Sequence, residues 1–240
     1  MRVVAYADSL AMPRPDLGVS WEDTWPHRLG RLLRQRGVDA EIINRGRRAR
    51  TADSLTGQEP YENVVWLQPD VVVLQIGVVD CAPRIISRRE KQVLNLPGFP
   101  SRVRDALIER RKARRPQITA RDPLAKVYTP PADFRRYIGD FGALVETMDP
   151  QPELLVVPVV VDWQPMERKT PGYTENVVRY NRILRRFCEG PRRRLVSAPL
   201  LTEEGPELRR MFCSDHYHLS ADGNRELARA VADLVAPSED

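Results

Sequence analysis

The chain alternates short, unbroken apolar runs with amphipathic helical patterns, and this alternation leaves few architectures open. Residues 3–6, 71–76, 154–161 and 195–198 are continuous and rich in β-branched side chains, with a weaker fifth run at 40–44. Continuous rather than alternating hydrophobicity marks strands buried on both faces. Between them lie helical patterns at 25–36, 133–148, 175–188 and 221–235. In the first, Leu29, Leu32 and Leu33 share a face and Gly37 closes the helix; in the last, Ser220 is the expected N-cap. Strand and helix in turn predict a parallel sheet covered on both sides. The expected fold is α/β: one domain over residues 1–240, a flavodoxin-like three-layer α/β/α sandwich with a mainly parallel five-stranded sheet. Right-handed crossovers bring the carboxyl ends of the strands to one edge, where such sheets carry their sites.

One segment breaks the rhythm. Residues 85–131 hold no strand run and are interrupted by Pro97, Pro100, Pro116, Pro123, Pro130 and Pro131, with a charged helix expected at 101–114. A connection this long inside a domain is uncommon unless it is functional or disordered. It is read here as an insertion rooted at the active edge, a lid over the site. It also concentrates the charge: residues 84–136 carry fifteen Lys or Arg against five acids, so the overall charge of +5 comes from this region. Arg110, Arg111, Arg114 and Arg115 form its densest cluster, suited to drawing in an anionic substrate. Nucleic acid is a weaker reading of the same charge, because within 85–131 only Phe99 and Tyr128 offer rings for stacking.

Composition narrows the class further. No stretch approaches the roughly 20 apolar residues of a membrane span, and the first residues read as a strand rather than a secretory leader. A cytoplasmic protein without membrane partners is expected. Cys81, Cys188 and Cys213 are an odd number without metal-type spacing, so buried free thiols are expected and no metal or cofactor is implied.

Two short motifs carry chemistry. The first strand runs into Ala7-Asp8-Ser9-Leu10, which puts a serine at the active edge. Asp215-His216-Tyr217-His218-Leu219 precedes the last helix, and an Asp three residues before a His can turn its carboxylate onto Nδ1, leaving Nε2 for a serine. Neither motif decides the matter alone. His27 and His216 read as surface or packing residues, Trp21 and Trp25 as packing at the start of the first helix, and Cys81 lacks a base of its own.

In order along the chain stand Ala-Asp-Ser-Leu, then Asn44-Arg45-Gly46, then 76–80 (Ile-Gly-Val-Val-Asp), then Asp215 to His218. This succession resembles the SGNH hydrolase family, whose four blocks are G-D-S-L, an isolated Gly, G-x-N-D and D-x-x-H. The resemblance covers nearly the whole chain except the insertion. It implies that Ser9 is the nucleophile, His218 its general base and Asp215 the group that orients His218, with the backbone N–H groups of Ser9 and Gly46 facing the oxyanion.

The chain departs from the family twice. Ala7 replaces a glycine, and Val79 stands where the family has the asparagine that donates to the oxyanion. Loss of such a donor typically costs about two to three orders of magnitude in rate. Arg84 and Arg45 are the nearest residues able to supply positive charge, and Asn176 or Asn181 could donate from another helix. Arg84 and Trp163 are the candidate substrate contacts. The expected activity is that of a serine esterase or deacylase on an acylated small molecule such as a sugar or natural product. Two alternatives are an acyltransferase using the same triad and a degenerate, non-catalytic protein that binds a glycan or partner.

Overall fold

The computed structural model of the protein describes residues 1–197 and 206–237. Along the chain run β1 (Arg2–Ala7), α1 (Trp25–Gln35), β2 (Glu41–Asn44), α2 (Glu59–Asn63), β3 (Val71–Gln75), α3 (Val78–Cys81), α4 (Arg88–Leu94), α5 (Ser101–Ala113), α6 (Arg115–Arg121) and α7 (Pro131–Glu146). They are followed by β4 (Glu153–Val157), α8 (Trp163–Lys169), α9 (Tyr173–Phe187), β5 (Arg193–Leu195), α10 (Pro206–Arg210) and α11 (Ala221–Val235). The sheet has five strands in the order β2-β1-β3-β4-β5, every pair parallel.

The unbroken apolar strands feed two cores because successive side chains point to opposite faces. Val4, Tyr6, Val72, Leu74, Leu154 and Val156 meet Phe134 and Phe141 of α7 and Tyr180 of α9 on one side. On the other, Val3, Ala5, Val73 and Leu155 meet Trp25, Leu29 and Leu33 of α1 and Leu227 and Val231 of α11. Leu29 and Leu33 are wholly buried, and cutting either to Ala would cost about 2–5 kcal/mol. The start of α1 is held by the neighbouring helix: Trp25 donates its backbone N–H to Asn224 of α11 (2.9 Å) and its indole N–H to Gln75 at the end of β3 (2.7 Å). Ser220 caps α11 as expected, accepting from Gly223.

Two strands depart from expectation. The run at 154–161 pairs only through Val157, because Pro158 has no N–H to continue the ladder. The last strand lies at Arg193–Leu195, earlier than the apolar run suggested, and Ala198 falls outside the described residues. The insertion contains the expected charged helix, α5, flanked by α4 and α6. Among the described residues no helix is long and apolar enough to cross a membrane.

The strand order reverses beside β1: the chain moves from β1 out to β2 and then returns to β3 on the other side. The crevice outside the carboxyl ends of β1 and β3 is therefore the place where this architecture binds ligands.

Candidate active site

At that crevice β1 gives way to a single tight turn. Asp8 extends the sheet by donating its N–H to Gln75 (3.0 Å), and its carboxylate accepts from Leu10 (2.9 Å), which winds Ser9–Ala11 into one 3₁₀ turn. Ser9, only 7% exposed, presents its hydroxyl at the strand end.

The second part comes from the loop before α11. Asp215 Oδ1 accepts the backbone N–H groups of Tyr217 and His218, both at 3.0 Å, and Oδ2 lies 2.6 Å from Nδ1 of His218. Nε2 of the same ring stands 3.2 Å from Ser9 Oγ. Ser9 and the Asp215–His218 pair, 209 positions apart at Ser9 and His218, thus form one chain of contacts. Burial alone would raise the Asp215 carboxyl. The hydrogen bonds from His218 and Tyr217 outweigh it and hold the group below the ordinary carboxylate value. His218 is lowered from its ordinary value, chiefly by burial, with the Arg14 guanidinium opposing the attraction of Asp215. A neutral imidazole with its proton on Nδ1 is the state these partners favour, its Nε2 lone pair facing both Ser9 and the Arg14 guanidinium.

Sequence reasoning missed Arg14. Its Nη1 lies 2.9 Å from Nε2 of His218, while Nε and Nη2 are paired with Asp16 at 3.2 and 2.9 Å. A short antiparallel bridge, Arg14 to Val19, turns the chain back beside the site, a signal invisible without the tertiary fold.

Two buried carboxylates frame the site. Asp8 is pushed up to about 7 by burial, and one of its oxygens has no partner among the described residues. Asp80 is pushed up to about 6 by the same cause. Its Oδ1 accepts the Ala52 N–H (2.8 Å) and the Thr129 hydroxyl (2.5 Å), pinning the end of the insertion to the loop after β2. Gly77, which opens α3, has a φ of +118°, and a Cβ there would meet Val159 at 2.8 Å. Only glycine fits that corner.

A cavity of about 440 Å³ opens at Ser9, walled by Val79, Arg84, Arg115, Tyr128, Asp215 and Tyr217 among others. The insertion therefore contributes directly to its wall. Arg84 donates to the carbonyl of Val79 (3.1 Å) and lies 4.5 Å over the Tyr128 ring, so this expected contact is at the cavity.

Other expectations need correction. Trp163 lines a separate cavity with Val160 and Asn181, because the chain turns away after Pro158 and α8 packs its first residue against the sheet. The amide of Asn176 is spent on the carbonyls of Cys81 and Pro123, and that of Asn181 on Val159, so neither replaces the missing asparagine. Arg45 does not line the Ser9 cavity. The Gly46 N–H is donated to the Asn44 side chain at 2.8 Å instead of facing an open oxyanion position. Of the arginine cluster in the insertion, only Arg115 reaches the cavity; Arg111 is tied to Glu90, and Arg110 and Arg114 face solvent. His216 is held by Asp162 (2.8 Å), away from the serine. Burial pushes the Cys81 thiol well above its ordinary value, which leaves it inert as a nucleophile.

The GDSL-like lipase/acylhydrolase family matches residues 8–226, from the serine turn into the last helix. The chain belongs to that family. It is a hydrolytic enzyme of the SGNH type, an esterase or acylhydrolase. Its fold is also that of solved members. A lipase/acylhydrolase from Enterococcus faecalis superposes with a TM-score of 0.67 at 13% identity, covering 100% of this chain and 99% of that one. The acetyl xylan esterase AlAXEase gives 0.62 at 17%, covering 98% and 100%. A catalytic mutant of an acetylxylan esterase from Geobacillus stearothermophilus gives 0.60 at 16%, covering 98% and 94%. At these identities the likeness speaks for the fold alone. Among curated proteins nothing matches the sequence significantly.

Proposed function

We propose that this protein cleaves the acyl ester of a small molecule, such as a sugar or natural product, through an acyl-enzyme on Ser9. The observation that carries this reading is the contact chain Ser9–His218–Asp215, with separations of 3.2 and 2.6 Å. Ser9 Oγ attacks the ester carbonyl as its proton passes to Nε2 of His218. The imidazolium, steadied by Asp215, returns that proton to the departing alcohol as the carbon–oxygen bond breaks. Water then repeats the cycle against the acyl-serine, releasing the acid and restoring the serine hydroxyl.

The oxyanion receives the Ser9 N–H. The Gly46 N–H joins it only by giving up its bond to Asn44, and Val79 offers no side-chain amide. The expected result is an enzyme slower than one with a full set of donors. The insertion, which walls the cavity through Lys91, Arg115 and Tyr128, serves as a lid.

A fluorophosphonate probe tests the nucleophile. Labelling should fall on Ser9 and vanish, together with ester turnover, in Ser9→Ala. Labelling that survives the substitution moves the nucleophile elsewhere and refutes the reading.

A further inference from the structure

Among the described residues, five of the twelve basic side chains in 85–131 are paired with an acid. Arg88 pairs with Asp53, Arg104 with Asp105, Arg111 and Lys126 with Glu90, and Lys112 with Glu109. The cations that line the Ser9 cavity do not. Arg84, Lys91, Arg115 and Lys169 all contribute to its wall, and among the described residues none forms an ion pair with a carboxylate. Among the described residues the one acid on that wall is Asp215, which is engaged by His218.

The two arginines are held in place. Arg84 is fixed by the Val79 carbonyl and by Tyr128, and its buried Nε has no partner among the described residues. Arg115 reaches the Thr170 hydroxyl at 3.5 Å. Burial and the charge of Arg84 both lower the affinity of Arg115 for its proton, and no acid opposes them. Like charges held together in a partly dehydrated wall repel one another unless an anion comes between them. A second cavity of about 260 Å³ shares Arg84, Lys91, Arg115 and Tyr128 with the first and continues into the insertion among Ile85, Leu94 and Ile108. Arg84, Lys91 and Arg115 therefore stand at the junction of the two spaces, and Lys169 lines the first alone.

We infer that this junction is a phosphate subsite, and that the ester cleaved at Ser9 carries a phosphate group on its alcohol portion. A single carboxylate would leave most of this positive charge uncompensated, whereas a phosphate presents more charge and several acceptor oxygens to two guanidinium forks. The exposed Lys91 and Lys169 add point charges from the rim. The inference rests on the acyl-hydrolase reading for the ester and on the cation wall for the phosphate.

A matched pair of esters, O-acetylglycerol phosphate and O-acetylglycerol, tests it through the ratio of their kcat/KM values. In the wild type the phosphorylated ester should be favoured by about tenfold or more, as expected for charge-assisted hydrogen bonds, and the advantage should shrink as salt is raised. Arg115→Gln and Lys169→Gln should each bring the ratio toward one, while Arg110→Gln, on the solvent side of α5, should keep it. A wild-type ratio near one, or a ratio untouched by both cavity substitutions, overturns the subsite. If neither ester is turned over, the acyl-hydrolase reading fails and calorimetry decides the subsite separately. Glycerol phosphate should then bind Ser9→Ala and lose that binding in the Ser9→Ala, Arg115→Gln double variant; no binding to Ser9→Ala refutes the inference.

Discussion

The guanidinium of Arg14 lies 2.9 Å from Nε2 of His218, the nitrogen that faces Ser9 at 3.2 Å. A fixed positive charge at that position disfavours the imidazolium and holds His218 lower than burial and Asp215 alone would leave it. General-base action requires the neutral ring, so a lowered value extends activity toward acid. In Arg14→Gln the histidine should titrate at higher pH and the acidic limb of the kcat/KM profile should move up with it. The profile, measured on a neutral activated ester, checks this; an unmoved limb would mean that Arg14 does not act on His218 electrostatically.

His218 and Asp215 should differ in what their loss costs. His218→Ala removes the base and should lower acylation by several orders of magnitude. Asp215→Asn turns an amide toward Nδ1 and favours the tautomer with its proton on Nε2, which cannot accept from serine; a loss on the order of 10⁴ in kcat is expected. Stopped-flow acylation by an activated ester measures both, and near wild-type rates in His218→Ala would remove it from the mechanism.

Val79 is 4% exposed and lines the cavity beside Ser9. Val79→Asn should restore an amide donor and raise kcat on a small activated ester, with about two to three orders of magnitude as the ceiling. A folded variant with no gain would show that another group already completes the oxyanion site.

Asp8 affects stability through its charge. Its folded value, raised to about 7, exceeds that of an unfolded aspartate, so the folded protein holds the proton more tightly. The stabilising contribution is present below the unfolded value, near 4, and is lost as pH rises toward 7. Asp8→Asn keeps an acceptor for Leu10 and never ionises. Its Tm relative to wild type should therefore be higher at pH 8 than at pH 5, by about 2–4 °C for each kcal/mol recovered in a chain of this size. Equal differences at the two pH values, read by calorimetry, would contradict the shift.

The five strands, the helices α1, α7, α9 and α11, and the meeting of Ser9 with Asp215 and His218 were legible in the residues themselves. Continuous apolar runs can be satisfied only by burial on both faces, and a parallel sheet then brings the strand ends to one edge. Boundaries set by single residues, such as the end of β4 at Pro158, were less visible because periodicity averages over its neighbours. What the tertiary structure alone decided is which side chains share the cavity. Trp163 points away from it and Arg115 into it; Asn176 is spent on backbone carbonyls; Arg14, more than two hundred positions from His218, lies against its ring. Strand and helix follow from local pattern, but a long polar side chain finds its partner only after loops distant in sequence have been folded against each other.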